Sequence, residues 1–229
     1  MSPPFRPARG SAGEFSSVLL DLDGTLTDSA PVILASFRAT LTDLGIPVPD
    51  RKTLLSFVGP PLASSFRDYA GLTGETNARA VAMYRSHYCE RMHEAPVYQG
   101  VPDLVRSLSQ AGVPLALATS KQEHLARQII EHTGFGPCFT VIAGATDDDR
   151  GGAKALVITR ALELLAEAGA STRRAVHVGD RRYDVDGARQ AGAQCIGALW
   201  GYGDAAELAG AQWLAADTRE LARLLGAEG

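Results

Sequence analysis

Ser17-Val18-Leu19-Leu20-Asp21-Leu22-Asp23-Gly24-Thr25-Leu26 sets an apolar run against two carboxylates two residues apart and a Gly-Thr turn. The run reads as a buried strand. Residues i and i+2 of a strand point to the same side, and a turn past its carboxyl end can aim both acids into one crevice. In open α/β sheets that crevice is where ligands bind. A carboxylate there can attack phosphorus to form an aspartyl-phosphate. A second can carry the proton between leaving group and attacking water. A strand ending in a solvated Asp-x-Asp-Gly turn is the plainer alternative, since Asp and Gly are common turn residues.

Working outward, short runs rich in Val, Ile, Leu and Ala read as buried parallel strands at Val18–Leu22, Pro114–Thr119, Phe139–Ala143 and Ala175–Gly179, with a fifth at Gln194–Leu199. Helical patterns separate them at Val101–Ala111, Gln122–Thr133, Lys154–Ala168 and Asp184–Ala191, most of them stopped by Gly. Strands alternating with helices predict an α/β, doubly wound parallel-sheet (Rossmann-like) core. The stretch from Asp28 to Tyr98 departs from this alternation. It holds about seventy residues where a crossover needs only a dozen or so, and its patterns are helical: Pro31–Leu44, Asp50–Phe57, Pro61–Ala70 and Glu75–Glu94. The expectation is an inserted all-α cap domain over 29–97, hinged near Asp28–Pro31 and Pro96–Gly100, on a core made of 16–28 and 98–229.

Composition bounds the function. Of 229 residues 45% are hydrophobic and 21% charged, with a net charge of −4, and no basic run interleaves with aromatics. A nucleic-acid polymer is therefore not an expected partner. Nothing approaches a membrane span. Residues 1–15 are rich in Pro, Ser, Gly and Arg without an apolar centre, and read as a disordered tail or cloning remnant rather than a signal peptide. Three cysteines, Cys89, Cys138 and Cys195, have no CxxC spacing, so neither a disulfide framework nor a zinc site is indicated. A cytoplasmic setting is expected, as a monomer or homodimer.

Three further segments carry chemistry. Thr119-Ser120-Lys121 ends the second strand with two hydroxyls and a cation, an oxyanion cradle unless Ser120 merely caps the next helix. Lys154 sits in the first turn of a helix, where a cation opposes the helix dipole. Neutralising phosphate and carboxylates would give that placement a reason; a solvated surface Lys is the alternative. The run Asp147-Asp148-Asp149 before it reads as solvated loop. Val176-His177-Val178-Gly179-Asp180-Arg181-Arg182-Tyr183-Asp184 again ends a strand on an acid, with another four residues on. Asp180 could join Asp21 and the Asp23 carbonyl around one hard cation, Mg²⁺ for preference. Asp184 suits an outer role, holding Lys154 or a metal-bound water, or simply favours its helix N-terminus.

Asp21-Leu22-Asp23-Gly24-Thr25, Thr119-Ser120-Lys121, Lys154 and Gly179-Asp180-x-x-x-Asp184, in this order and with a helical insertion after the first, resemble the four motifs of the haloacid dehalogenase-like hydrolase superfamily. The resemblance spans Ser17 to Leu208 and fits the helical-cap branch of the phosphoglycolate phosphatase kind, with a 5′-nucleotidase-like subgroup. It implies Asp21 as nucleophile and Asp23 as acid and base. It also implies Mg²⁺ held by Asp21, the Asp23 carbonyl and Asp180, with phosphoryl oxygens bound by Gly24 and neighbouring amides, Thr119, Ser120 and Lys154. The implied activity is a Mg²⁺-dependent phosphomonoesterase acting on a small phosphorylated metabolite, phosphoglycolate or a nucleoside 5′-monophosphate. Dehalogenases and phosphonatases of the superfamily lack the second acid, so Asp23 argues against both. A phosphotransferase or phosphomutase acting on sugar phosphates stays open, as does a non-catalytic phosphate-binding regulator. Specificity is expected in the insertion, with Gly59 and Pro60 in the loop Phe57–Leu62 as candidates; Arg85, on the stripe Val81, Arg85, Tyr88, Met92, and Arg67 either reach a substrate or pair within the insertion.

Overall fold

Alternate residues of β1 (Ser17–Leu20) serve two different cores, and that alternation organises the molecule. Val18 and Leu20 join one buried cluster, while Leu19 joins the other. The computed structural model describes residues 15–58, 60–146 and 152–227. Within them β1 is followed by β2 (Leu115–Gln122), β3 (Val141–Ala145), β4 (Ala175–Gly179), β5 (Gln194–Ala198) and β6 (Trp213–Ala215). All pair in parallel in the order β3-β2-β1-β4-β5-β6. The strand order reverses between β1 and β4, and the crevice at such a reversal is the expected ligand position in a doubly wound sheet.

Helices cover both faces. Between β1 and β2 run α1 (Ala30–Asp43), α2 (Arg51–Leu55), α3 (Leu62–Ala70) and α4 (Gly74–Arg91), then α5 (Val101–Gln110). After β2 come α6 (Glu123–His132), α7 (Lys154–Glu167), α8 (Arg182–Gln190) and, at the end, α9 (Thr218–Leu225). Residues of α5, α6 and α9 share the cluster of Val18 and Leu20, whereas those of α7 and α8 share that of Leu19. The insertion is held by its own aromatic nucleus. Phe37 meets Phe57, Phe66 and Tyr84 at 4.5–5.2 Å between centroids, and Tyr84 stacks on Tyr88. Its two ends run side by side. Thr27 and Val97 form an antiparallel bridge, with Asp28 N–H donating to Pro96 O and Tyr98 N–H to Leu26 O.

Several elements differ from the sequence expectation. β2 continues to Gln122 rather than ending at Thr119, because an irregularity after Ala118 re-registers it and lets Gln122 pair with Ala145. Ser120 therefore lies in the strand and caps nothing; α6 begins at Glu123. β3 lies two residues later than expected, since Gly136–Cys138 makes a 3₁₀ turn before it. β6 was not anticipated: three residues are too few to show a period. Helix α8 starts at Arg182, two residues early, because the Asp184 carboxylate accepts from the Arg181 N–H and closes the first turn. Phe15, expected in the disordered tail, packs edge-on against Trp213 at 5.5 Å. Residues 1–14, Gly59 and the acidic run Asp147–Asp149 lie outside the described residues. Among the described residues no helix is long and apolar enough to cross a membrane.

Candidate active site

β1 ends at Leu20 and β4 at Gly179, so Asp21 and Asp180 are the first residues beyond adjacent strands of one sheet edge. Parallel pairing makes this unavoidable: equivalent strand ends lie side by side. Gly24, at φ +85°, lets Asp180 come close, because a Cβ there would collide with the Asp180 carboxylate. Asp21, Asp180 and Asp184 each present an oxygen within 4.8 Å of the others, and all three are buried.

Lys154 answers this charge. Its ammonium lies 2.7 Å from Asp21 Oδ1 and 2.9 Å from Asp184 Oδ1, and donates to the Ala118 carbonyl at 3.3 Å. The unfavourable position in the first turn of α7 is thus explained by two carboxylates facing it. The carboxylates share that cation unequally. Burial would raise Asp184, but Lys154 and His177, whose Nε2 lies 2.9 Å away, hold it well below the usual range. Burial drives Asp21 up to about 7 despite Lys154, helped by the charge of Asp184. Burial likewise raises Asp180 well above the usual value, with Asp184 adding to it. Tyr202 N–H donates to Asp180 Oδ2 at 2.6 Å, while Asp180 Oδ1 is buried with no hydrogen-bond partner. Crowded buried carboxylates, one with an orphaned oxygen, suit a hard divalent cation.

A cavity opens over this edge. It is lined on the sheet side by Asp21, Asp23, Thr119, Ser120, Lys154 and Asp184, and on the insertion side by Phe37, Phe57, Pro60, Tyr84, Arg85 and Tyr88. Thr119 is buried, and its Oγ accepts from the Lys121 N–H at 3.3 Å, leaving its proton available to an anion. An acid, a neighbouring acid, a hydroxyl and a buried cation at one point can bind a phosphoryl group, attack it and move a proton.

The expected residues are not all together. Gly24 does not offer its amide to an anion, because that N–H donates to the Thr27 carbonyl at 2.8 Å; its place in the site is to make room for Asp180. Arg67 is exposed, pairs with neighbouring Asp68 at 2.7 Å, and is not among the cavity-lining residues. Arg85 does line the cavity, as does Pro60. Two participants, His177 and Arg181, have no role in the sequence reading, and Lys121, expected as the cation of an oxyanion cradle, is paired with an acid instead. Lys121 lies 2.9 Å from Asp23 Oδ2; His177 braces Asp184 from β4. Arg181 joins Glu207 at 2.8 Å to the carbonyls of Val58 and Leu55 in the insertion. A His inside an apolar strand was the available signal for His177; no spacing marks Arg181, and none shows that Lys121 faces Asp23. After β5, the Tyr202 hydroxyl accepts from the Ala30 N–H at 2.8 Å and Trp200 Nε1 donates to the Thr25 carbonyl at 3.1 Å, tying this loop to the turn after β1.

Known proteins resemble this chain in sequence and in fold. The sequence profile of haloacid dehalogenase-like hydrolases matches residues 18–198. The tyrosine-protein kinase PtkA of Mycobacterium tuberculosis is 43% identical over 189 residues, covering 82% of this chain. The chain spans only 63% of that relative's length. A 5′-nucleotidase of Pseudomonas aeruginosa is 35% identical over 201 residues, with 87% of this chain and 90% of that protein covered. The crystal structure of a predicted phosphatase from Clostridium acetobutylicum superposes with a TM-score of 0.84 at 38% identity, covering 90% and 96% of the two chains. The chain belongs to the haloacid dehalogenase-like hydrolase family.

Proposed function

We propose that this haloacid dehalogenase-like hydrolase is a Mg²⁺-dependent phosphomonoesterase of the cytoplasm, working through an aspartyl-phosphate on Asp21. The observation that carries the reading is the meeting of Asp21 and Asp23 in one cavity with Thr119 and Lys154. Asp21 attacks phosphorus as the ester P–O bond breaks, and Asp23 gives its proton to the departing oxygen. Asp23 then takes a proton from water as water attacks phosphorus and the Asp21–phosphorus bond breaks, releasing inorganic phosphate. Lys154 orients Asp21 and, with Thr119 and Ser120, neutralises the phosphoryl oxygens. Asp21, Asp180 and the Asp23 carbonyl would hold Mg²⁺, with Asp184 outside them keeping Lys154 in place. Bound there, the cation supplies charge neutralisation and keeps Asp21 ionised.

Residues 29–97 serve as a cap domain on the core of 16–28 and 98–229. The aromatic lining contributed by Phe37, Phe57, Tyr84 and Tyr88 favours a substrate whose organic group is planar and apolar, such as a nucleoside, over phosphoglycolate. Release of phosphate from a panel of nucleoside monophosphates, aryl phosphates, sugar phosphates and phosphoglycolate, with and without Mg²⁺, tests this. No release from any ester would refute it.

A second reading follows from the relative named as a tyrosine-protein kinase. A tyrosine hydroxyl in place of water at the aspartyl-phosphate, losing its proton to Asp23, gives phosphotransfer. Label passing to a tyrosine peptide rather than to water would select it.

A further inference from the structure

We infer that Lys121 and Tyr88 are a positioning pair that fixes the Asp23 carboxylate for proton transfer when α4 is seated over the sheet edge. The inference rests on the phosphatase reading of the site.

Three separate parts of the chain meet at one ammonium. Lys121 Nζ lies 2.9 Å from Asp23 Oδ2, donates to the Tyr88 hydroxyl at 2.9 Å, and stands 4.4 Å from the Tyr88 ring centroid. Asp23 comes from the turn after β1, Lys121 from the end of β2, and Tyr88 from α4 of the insertion. The Lys121 side chain is 9% exposed and Tyr88 is buried. Asp23 Oδ1 is buried with no hydrogen-bond partner, so the carboxylate is oriented through Oδ2, the oxygen that Lys121 holds.

Lys121 Nζ is thus held at the same 2.9 Å by the Asp23 carboxylate and by the Tyr88 hydroxyl. Both contacts depend on α4. Tyr88 supplies one of them and, stacked on Tyr84 at 5.8 Å, screens the other from water. With α4 withdrawn, water would weaken the Lys121–Asp23 attraction roughly fourfold, the ratio between near-surface and bulk dielectric. The acid is then free to turn away. Proton transfer needs a fixed donor within hydrogen-bond reach, so the pair ties competence for chemistry to closure of the insertion.

The test uses the full-length protein with Mg²⁺ and reads release of the phenol in the first turnover. Phenyl phosphate, with a poor leaving group, is compared with p-nitrophenyl phosphate, whose leaving group needs little protonation. Lys121→Met should slow phenol release about a hundredfold and p-nitrophenol release less than tenfold, the scale of general acid catalysis. Tyr88→Phe should slow phenol release about tenfold with KM unchanged, and Lys121→Arg should regain part of the lost rate. Tyr88→Phe keeps the ring and its packing, so it carries the test if Lys121→Met does not fold. Equal slowing of both esters, or an effect confined to KM, makes the pair structural and overturns the inference while leaving the phosphatase reading intact. Wild-type protein that releases neither phenol overturns both.

Discussion

The carboxylate of Asp180 occupies the space into which a side chain on Gly24 would project. Two segments more than 150 residues apart in sequence are thereby locked together at the sheet edge, and Gly24 also sits at a positive φ that side chains adopt at a cost. Replacement of Gly24 by Ala should push Asp180 away from Asp21. Displacement of that kind, about 1 Å at a reacting centre, costs on the order of a hundredfold in rate. Measured kcat with saturating Mg²⁺ should fall accordingly; an unchanged kcat would mean that the close approach has no role in catalysis.

Asp21→Asn keeps the volume of the proposed nucleophile and removes its charge. Turnover should fall by several orders of magnitude with the circular-dichroism spectrum unchanged, and acid-stable phosphoprotein traps should catch no intermediate. A pure sample retaining more than a trace of activity would contradict covalent catalysis at this residue.

Acidity and cation binding should be linked. Asp21 titrates near 7 in the folded chain and near 3.8 when unfolded, so between those values the folded state binds the extra proton. Stability contributed by that proton is present below about pH 4 and lost as pH rises to 7. Asp184, held low, has the opposite sign and loses its contribution in acid. Mg²⁺ competes with the proton on Asp21 and Asp180, so its stabilisation should be larger at pH 8 than at pH 5. At a hundredfold excess over Kd the gain is about 2.7 kcal/mol, or roughly 5–10 °C in Tm for a chain of this size. Thermal melts with and without MgCl₂ at the two pH values, repeated on Asp180→Asn, check this. Equal shifts at both pH values would argue against carboxylate ligands.

The two arginines singled out in the insertion should now separate. Arg85→Ala should raise KM for an anionic substrate by about one to two orders of magnitude if a charged hydrogen bond worth roughly 1.5–3 kcal/mol is lost. Arg67→Ala should leave kcat and KM unchanged, since that side chain is exposed and engaged with Asp68. Steady-state kinetics on both variants decide the matter; an equal effect would place the substrate differently from the cavity described.

Sequence by itself determined the parallel α/β core, the helical run between its first two strands and which polar side chains follow its strands. That Asp21, Asp23, Thr119, Lys154, Asp180 and Asp184 would gather was legible because apolar strand runs alternating with helices imply a parallel sheet, whose carboxyl-end edge collects the residues that follow or close its strands. The three-residue β6 escaped because a pattern so short has no period to read. Tertiary structure alone decided how the charges are shared. It set Lys154 between Asp21 and Asp184 and His177 behind Asp184, and it put Lys121 between Asp23 and Tyr88. It also gave Gly24 a steric role in place of an amide donor and separated Arg85 from Arg67. Such pairings depend on distances across the sheet edge and on burial that raises or lowers each charge by its particular neighbours, quantities that spacing along one chain does not contain.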